Sequence, residues 1–286
     1  MREFNEHTLT EAVIARLAKT PDPRLKEVMT SLVTHLHAFV RETRPTPEEW
    51  FAGIQFLTET GKMCDDKRQE FILASDTLGV SMLVDFLNYG KHPGATESTV
   101  LGPFFVQGAR AVPLGGTIAR AGTPGKPALV QGSVKDGQGR PIAGATVDVW
   151  QSGADGFYDV QKTDGENLRG TLKTDAKGEF WFRTVVPQYY PIPTDGPVGR
   201  MLKGTGRHPM RPGHLHFMLA APGFRQLVTH LFTSGDPYLD SDVVFGVKES
   251  LIVDYEKVES KDEAKKYGLD APFWRVAYDF VLVKEK

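Results

Sequence analysis

The segment RPGHLHFMLA, residues 211–220, predicts a β-strand that carries two histidines. Successive side chains of a strand point to opposite faces, so His214 and His216 share one face while Leu215 points to the core. Two imidazoles on one face can bind one metal ion, and imidazole suits iron, copper or zinc. The alternative is a pair of partly buried histidines that only bond to backbone groups, and the spacing alone favours neither.

Short strand-like segments, separated by glycine and proline, occupy the rest of the second part of the chain. We expect strands at residues 128–136, 145–151, 178–186, 214–221, 226–232 and 275–283. The Asp-Gly and Gln-Gly pairs within residues 136–140 predict that the first two of these strands form a hairpin. Several short strands with such turns are typical of a β-sandwich.

The first hundred residues have helical periodicity instead. Thr46, Pro47 and Glu49 predict the start of one helix, and residues 66–87 predict one further helix or a pair. An earlier helix is indicated by apolar residues that recur every three or four positions, at Leu25, Val28, Met29, Leu32, Leu36 and Val40. We therefore predict a mainly β protein, with a helical N-terminal domain at 1–104 and a β-sandwich catalytic domain at 105–286.

Composition excludes several classes of protein. The 286 residues have a formal net charge of -2, whereas a nucleic-acid binder needs a basic excess to contact phosphates. The single cysteine, Cys64, cannot form an internal disulfide and fits a reducing compartment. The first twenty residues have no apolar signal-peptide core, and no apolar run approaches the roughly 20 residues of a membrane span. We expect a cytoplasmic protein.

Two tyrosines upstream, Tyr158 and Tyr190, each lie among turn residues and extend the candidate metal site. A phenol has a pKa near about 10, so only a strongly Lewis-acidic centre such as ferric iron binds it as phenolate at neutral pH. Taken alone, Tyr158 is better explained as an aromatic that packs its ring in a turn. Tyr190 has an adjacent rival in Tyr189, and periodicity does not choose between them.

Five segments carry a resemblance to a known enzyme family: ATESTVLGPFF (95–105), DVWQSGADGFYD (148–159), YPIPTDGPVGRML (190–202), GRHPMRPGHLHFMLAAPGF (206–224) and YLDSDVVFGVKESL (238–251). In these motifs the chain resembles the intradiol ring-cleavage dioxygenases, and among them the hydroxyquinol-cleaving group. These are non-haem iron enzymes that open catechols between the two hydroxyls with O2. The resemblance implies one Fe(III) per subunit and a small aromatic diol or triol as substrate.

For benzene-1,2,4-triol (hydroxyquinol) the implied product is 3-hydroxy-cis,cis-muconate, which tautomerises to maleylacetate. The alternative substrate is catechol or a chlorinated or alkylated catechol, which would give cis,cis-muconates. The resemblance also implies a homodimer formed through the N-terminal helices, in some relatives with a lipid bound between them.

The resemblance assigns roles to individual residues. Its ligand set is Tyr158, Tyr190, His214 and His216, and the position directly before Pro-Ile-Pro selects Tyr190 over Tyr189. Tyr190 would also act as a general base toward the substrate. Arg211 would stabilise negative charge on the ring, although a surface salt bridge is its alternative.

Residue 230 separates subgroups of the family. Many catechol-cleaving relatives have glutamine at this position, and hydroxyquinol-type and some chlorocatechol-type relatives have histidine. The resemblance therefore implies that His230 is a catalytic hydrogen-bonding residue near Arg211 and the substrate, and not a metal ligand.

The implied substrate pocket is mostly apolar, as a slot for a flat ring should be. Asp76 is the exception, because its carboxylate could accept a hydrogen bond from a third ring hydroxyl and so favour the triol. Helix capping by the Ser75-Asp76-Thr77 run explains Asp76 equally well. The complete implied set is Leu73, Asp76, Val100, Pro103, Phe104, Ile192, Pro193, Arg211 and Val243.

Two other kinds of protein remain open from the residues alone. A zinc hydrolase would use the histidines, although two tyrosines fit zinc poorly. A β-sandwich binding module would use them only for packing. Tyrosinate bound to Fe(III) absorbs visible light, whereas a zinc site and an empty site do not.

Overall fold

The computed structural model describes residues 3–65, 68–90, 92–162 and 165–285. The chain forms two compact units, Met1–Thr58 and Glu59–Lys286. The helices of the first unit are α1 (Leu9–Arg16), α2 (Pro23–Thr43) and α3 (Pro47–Lys62), the last of which continues into the second unit. The predicted domain boundary at residue 104 stays a prediction.

Local capping explains where two of these helices begin. At the start of α2 the Asp22 carboxylate accepts hydrogen bonds from the backbone N–H groups of Arg24 and Leu25, at 2.8 and 3.2 Å. At the start of α3 the Thr46 N–H donates to Glu49 Oε2 at 2.8 Å, and the Glu49 N–H donates to Thr46 Oγ1 at 3.2 Å. This reciprocal capping box confirms the helix start predicted at Thr46.

After the end of α3, the second unit contains the pair of helices predicted from residues 66–87, of which residues 66 and 67 lie outside the described part. These are α4 (Glu70–Thr77) and α5 (Val80–Tyr89), separated by Gly79 with φ 74°. Two further helices, α6 (Pro197–Gly204) and α7 (Lys261–Lys266), lie between strands. Within the described residues, none of the helices combines the length and the apolar composition that a membrane span requires.

The strands of the second unit form two five-stranded mixed sheets and a short two-stranded ribbon. The first sheet is centred on β1 (Pro127–Asp136), with β4 (Glu179–Val185), β10 (Glu256–Val258), β11 (Phe273–Ala277) and β12 (Phe280–Leu282). The second has the order β3 (Arg169–Lys173), β2 (Thr146–Trp150), β7 (His214–Ala220), β8 (Leu227–Thr233) and β9 (Ile252–Val253). The ribbon pairs β5 (Tyr190–Pro191) with β6 (Met210–Arg211).

The hairpin predicted from residues 128–136 and 145–151 is wrong, because β1 and β2 belong to different sheets. The turn itself exists, since the chain reverses after Asp136 and Ile142 N–H donates to Val134 O at 2.8 Å. The two edges of β1 are taken by strands distant in sequence, antiparallel β4 on one and parallel β11 and β12 on the other. The chain therefore leaves β1 after this short return and enters the second sheet.

One apolar core lies between the strands of both sheets. Its buried members include Phe180 and Phe182 from β4 and Leu215 and Phe217 from β7. The Phe217 ring centroid lies 4.9 Å from that of Phe280. The alternation predicted for residues 214–220 is confirmed, because Leu215, Phe217 and Leu219 enter this core and the two histidines do not.

The strand predicted at 275–283 is two strands, interrupted at Tyr278 and Asp279. The Tyr278 N–H donates to Gln131 O at 3.0 Å, and the Asp279 carboxylate accepts from the Ser133 N–H at 3.0 Å. A Cβ atom placed on Gly132 would lie only 1.8 Å from the Tyr278 carbonyl oxygen. Glycine at 132 is thus what allows β1 to pair with both β11 and β12.

Replacing Gly132 by alanine should lower the free energy of unfolding by about 3 kcal/mol or more, because the clashing atom belongs to backbone and cannot move aside. Gly137→Ala is the matched control, since no atom lies within 4 Å of its added Cβ. Urea denaturation of both variants measures the difference. Equal stability of the two variants would contradict this account of the strand break.

Candidate functional site

The two histidines of β7 lie on the face opposite the core, and both are almost completely buried, each 1% exposed. The register of the second sheet sets their neighbours. Trp150 on β2 lies opposite His216 and stacks on its ring, with centroids 4.7 Å apart and planes inclined by 14°. On the other side, His230 on β8 lies opposite His216. The sheet therefore fixes the rings before any ligand binds.

The structure brings together the four side chains predicted as metal ligands. Tyr158 Oη donates to Tyr190 Oη at 3.0 Å and lies 2.8 Å from His216 Nε2. His214 Nε2 lies 3.1 Å from His216 Nε2. Two phenol oxygens and two imidazole nitrogens thus converge on one point, although they come from a turn before residue 159, from β5 and from β7.

Burial determines the protonation of this group. It raises the pKa of Tyr158 well above the ordinary value. It also raises the pKa of Tyr190, although the charge of Arg211 acts to lower that pKa. It lowers the pKa values of His214 and His216 well below the usual range. The imidazoles are therefore neutral and have lone pairs to donate, whereas phenolates at this place require a nearby cation. This donor set fits a strongly Lewis-acidic metal ion.

Hydrogen bonding orients the first of the histidines. His214 Nδ1 lies 2.7 Å from the carbonyl oxygen of Pro212, so the ring donates from Nδ1 and directs Nε2 toward His216 Nε2. Within residues 3–65, 68–90, 92–162 and 165–285, His216 Nδ1 has no such partner. Its ring is held by stacking on Trp150 instead.

Arg211 lies beside the four candidate ligands and is paired with a carboxylate that the sequence pattern does not single out. Its Nε and one terminal nitrogen donate to the two oxygens of Asp242 at 3.0 and 3.2 Å, and the other terminal nitrogen lies 3.2 Å from His214 Nε2. Burial alone would lower the pKa of Arg211, but the charge of Asp242 raises it above its ordinary value. The surface salt bridge considered for Arg211 is wrong, because both partners are buried.

Asp242 organises its own loop as well. Its Oδ2 accepts the Gly246 N–H at 3.0 Å, and the Gly246 carbonyl accepts the Thr99 hydroxyl at 3.1 Å. This chain of contacts leads from Arg211 to the residue next to Val100. Asp242 stands within the motif at 238–251, but no periodicity distinguishes it there from Asp240, so only the fold reveals the pair.

Most of the predicted substrate residues line one of two clefts. One cleft of about 530 Å³ is lined by Leu73, Pro103, Phe104, Ile192 and Pro193. Phe104 also stacks on Tyr158, with ring centroids 4.4 Å apart, so this cleft reaches the candidate ligands. Asp76 and Val100 line a second cleft. Val243 is buried and lines neither of them, and its carbonyl accepts from Arg207 at 2.9 Å.

Asp76 lies in the last turn of α4 and is 3% exposed. The helix-capping explanation for its carboxylate is therefore wrong, since caps of this kind precede the first turn. Burial raises the pKa of Asp76, while the Ser81 hydrogen bond and the charge of Arg211 act in the opposite direction. Asp76 is thus a buried carboxylate within electrostatic reach of Arg211.

The pair His35 and His37, which has the same spacing as His214 and His216, does not converge. Both lie on α2, where two residues correspond to a rotation of roughly 200°. His35 Nδ1 lies 2.7 Å from the Ser31 carbonyl, and His37 Nδ1 lies 3.0 Å from the Thr10 hydroxyl. Secondary structure, and not spacing alone, decides which histidine pair can share an ion.

Known families account for nearly the whole chain. The model described as "Catechol dioxygenase N terminus" matches residues 22–96, and the model described as "Dioxygenase" matches residues 100–284. A relative in Cupriavidus pinatubonensis, named 6-chlorohydroxyquinol 1,2-dioxygenase, is 55% identical over 99% of both chains. This chain belongs to the intradiol ring-cleavage dioxygenases. The family expected from the five sequence motifs is confirmed.

Other relatives of this dioxygenase have similar names. Hydroxyquinol 1,2-dioxygenase from Rhizobium sp. is 51% identical, over 98% of this chain and 96% of the relative. The solved structure of hydroxyquinol 1,2-dioxygenase from Pseudomonas putida DLL-E4 has a TM-score of 0.90 and 53% identity, covering 98% of this chain and 99% of that one. The arrangement of N-terminal helices followed by mixed sheets is thus the fold of the family.

Removing the Asp242 carboxylate should destabilise this dioxygenase strongly, because Arg211 would remain buried without its counter-charge. We expect Asp242→Ala to lower the free energy of unfolding by about 3–5 kcal/mol. Asp240→Ala is the matched control, because Asp240 lies two residues earlier in a short 3-10 helix and is exposed to solvent. It should change the free energy of unfolding by less than about 0.5 kcal/mol. Denaturant titration measures both variants, and similar values for the two would show that the ion pair has no structural role.

Proposed function

We propose that this chain is a hydroxyquinol 1,2-dioxygenase. It uses non-haem Fe(III) and O2 to cleave benzene-1,2,4-triol to 3-hydroxy-cis,cis-muconate, which tautomerises to maleylacetate. The observation that carries the proposal is the convergence of two phenols and two imidazoles in a chain about half identical, over nearly its full length, to relatives with this name. Catechol or a substituted catechol is the alternative substrate, and a relative in Candida albicans named catechol 1,2-dioxygenase is 41% identical.

In this proposal Tyr158, Tyr190, His214 and His216 hold one ferric ion per subunit. When bound, Fe(III) supplies a Lewis acid and a template that favours the deprotonated form of the ring hydroxyls. Tyr190 Oη, as phenolate, takes a proton from a substrate hydroxyl. The charge of Arg211 supports that role, because it lowers the pKa of Tyr190 and so opposes the effect of burial.

In this proposal Arg211 and His230 interact with the aromatic ring of the substrate. The guanidinium, fixed by Asp242, faces the ligand cluster and stabilises negative charge on the ring during oxygen attack. His230 is completely buried in the same group of rings, with its centroid 4.6 Å from that of His214. It provides a hydrogen-bonding nitrogen beside the substrate.

The two clefts supply the substrate slot. Leu73, Pro103, Phe104, Ile192 and Pro193 form apolar walls for a flat ring, and Val100 and Val243 add apolar surface at the second cleft and in the Asp242 loop. Asp76 accepts a hydrogen bond from the third hydroxyl of the triol. A site built for such a bond discriminates against analogues without it, because the buried carboxylate would then keep only its hydrogen bond with Ser81.

The iron-loaded enzyme should absorb visible light through its tyrosinate ligands. We expect Tyr158→Phe to shift or remove that band, since one of the two phenolates is lost. Tyr189→Phe is the matched control, because Tyr189 is half exposed and packs on Tyr238 away from the cluster. Absorption spectra and iron content of the three proteins test this, and a wild-type protein that contains stoichiometric iron but has no visible band would overturn the proposal.

Substrate preference should depend on Asp76. The wild-type enzyme should have a higher kcat/KM for benzene-1,2,4-triol than for catechol, and Asp76→Asn should lower that ratio about tenfold or more by weakening the acceptor. Ser75→Ala, which alters the same cleft without removing a carboxylate, should retain the ratio. Oxygen-uptake kinetics measure it, and a wild-type preference for catechol would instead support the alternative substrate.

We also propose that residues 105–286 form a β-sandwich catalytic domain and that residues 1–104 form a helical dimerisation domain. Leu25, Leu32 and Leu36 on one face of α2 are about half exposed, which favours burial against a second copy or a lipid chain. Sedimentation velocity tests this, and a mass of one 31.6 kDa chain would contradict it. The single cysteine supports a cytoplasmic location, which cell fractionation tests.

A further inference from the structure

A third histidine lies within reach of the two on β7. Candidate ligand nitrogens of His214, His216 and His230 all lie within 4.8 Å of one another, and the three rings are 0–1% exposed. The proximity follows from strand register, since His230 on β8 is paired directly with His216. The centroids of these two rings are 4.2 Å apart.

His230 is also the least satisfied of the three rings. In the described part of the chain neither of its nitrogens has a hydrogen-bond partner of good geometry, although the backbone of Val100 lies near enough to favour the protonated ring slightly. Buried polar groups normally have partners, so an unsatisfied, fully buried imidazole next to two others indicates a site for an additional ligand.

Three imidazoles are a donor set that differs from the four proposed iron ligands. Borderline divalent cations such as zinc, cobalt and copper prefer nitrogen, and catalytic zinc sites commonly have three protein ligands with an open fourth position. Phenolates suit a trivalent ion better than a divalent one, because they need the stronger Lewis acid. The same pocket therefore offers two overlapping sets of donors.

We propose that His214, His216 and His230 form a three-imidazole site for a borderline divalent cation, and that such a cation competes with iron for the first two of them. The inference rests on the proposed function only in naming iron as the competitor. Nitrogens bonded to one tetrahedral ion at about 2.0–2.1 Å lie about 3.4 Å apart. His214 and His216 are already 3.1 Å apart, and the ligand nitrogen of His230, which lies within 4.8 Å of theirs, must approach by up to about 1.4 Å.

Metal binding to the iron-free protein tests the inference without any assay of activity. We expect His230→Gln to weaken Zn²⁺ binding at least tenfold, as measured by competition with a chromophoric chelator. His35→Gln is the matched control, because that exposed histidine lies on α2 and should leave the affinity unchanged. Electron paramagnetic resonance of the Cu²⁺-loaded protein should show three coordinated imidazole nitrogens in the wild type and two in His230→Gln.

The reciprocal variant separates the two donor sets. Tyr158→Phe should disturb the visible band of the iron-loaded enzyme and leave the Zn²⁺ affinity within about twofold, whereas His230→Gln should leave the band in place. Unchanged Zn²⁺ affinity in His230→Gln, or two nitrogens in wild-type Cu²⁺ spectra, would overturn the inference. Absence of the band from the iron-loaded wild type would instead count against the proposed function, and the zinc result would stand independently.

Discussion

The register of β7 between β2 and β8 is the constraint on which the rest of this structure depends. It sends Leu215, Phe217 and Leu219 into the core and turns His214 and His216 to the opposite face. A slip by one residue would exchange the two faces and would place imidazoles in the apolar core. Core packing and the geometry of the candidate metal centre are therefore set by the same pairing.

Burial sets the protonation of the candidate ligands and requires that the charge of Arg211 be compensated. Phenols and imidazoles far from water remain neutral, so they form a group of donors suited to a cation. Arg211 brings a permanent charge to the edge of that group, and it can be buried there because Asp242 neutralises it. The Asp242 loop then links this ion pair through Gly246 to the segment that contains Val100.

Several expectations failed where long-range pairing overrode local pattern. The turn after Asp136 formed as the sequence indicates, yet β2 joined the other sheet because strands from residues 179–185 and 273–282 occupy both edges of β1. The capping chemistry at Asp76 was misleading, because its neighbours Ser75 and Thr77 suit a helix start whereas the helix ends there. In both places the local residue preferences were present, but tertiary packing determined which sheet the strand joined and where the helix ended.

The sequence by itself determined the strand at 214–220, the helical first hundred residues, the family and the four candidate ligands, because alternation, helical periodicity and family motifs are local properties of the chain. Only the tertiary structure decided that Asp242 partners Arg211, that Trp150 stacks on His216 and that His230 faces the same point as the histidine pair. These contacts join residues that are 14 to 66 positions apart, so their distances depend on sheet order and register, which no local pattern specifies.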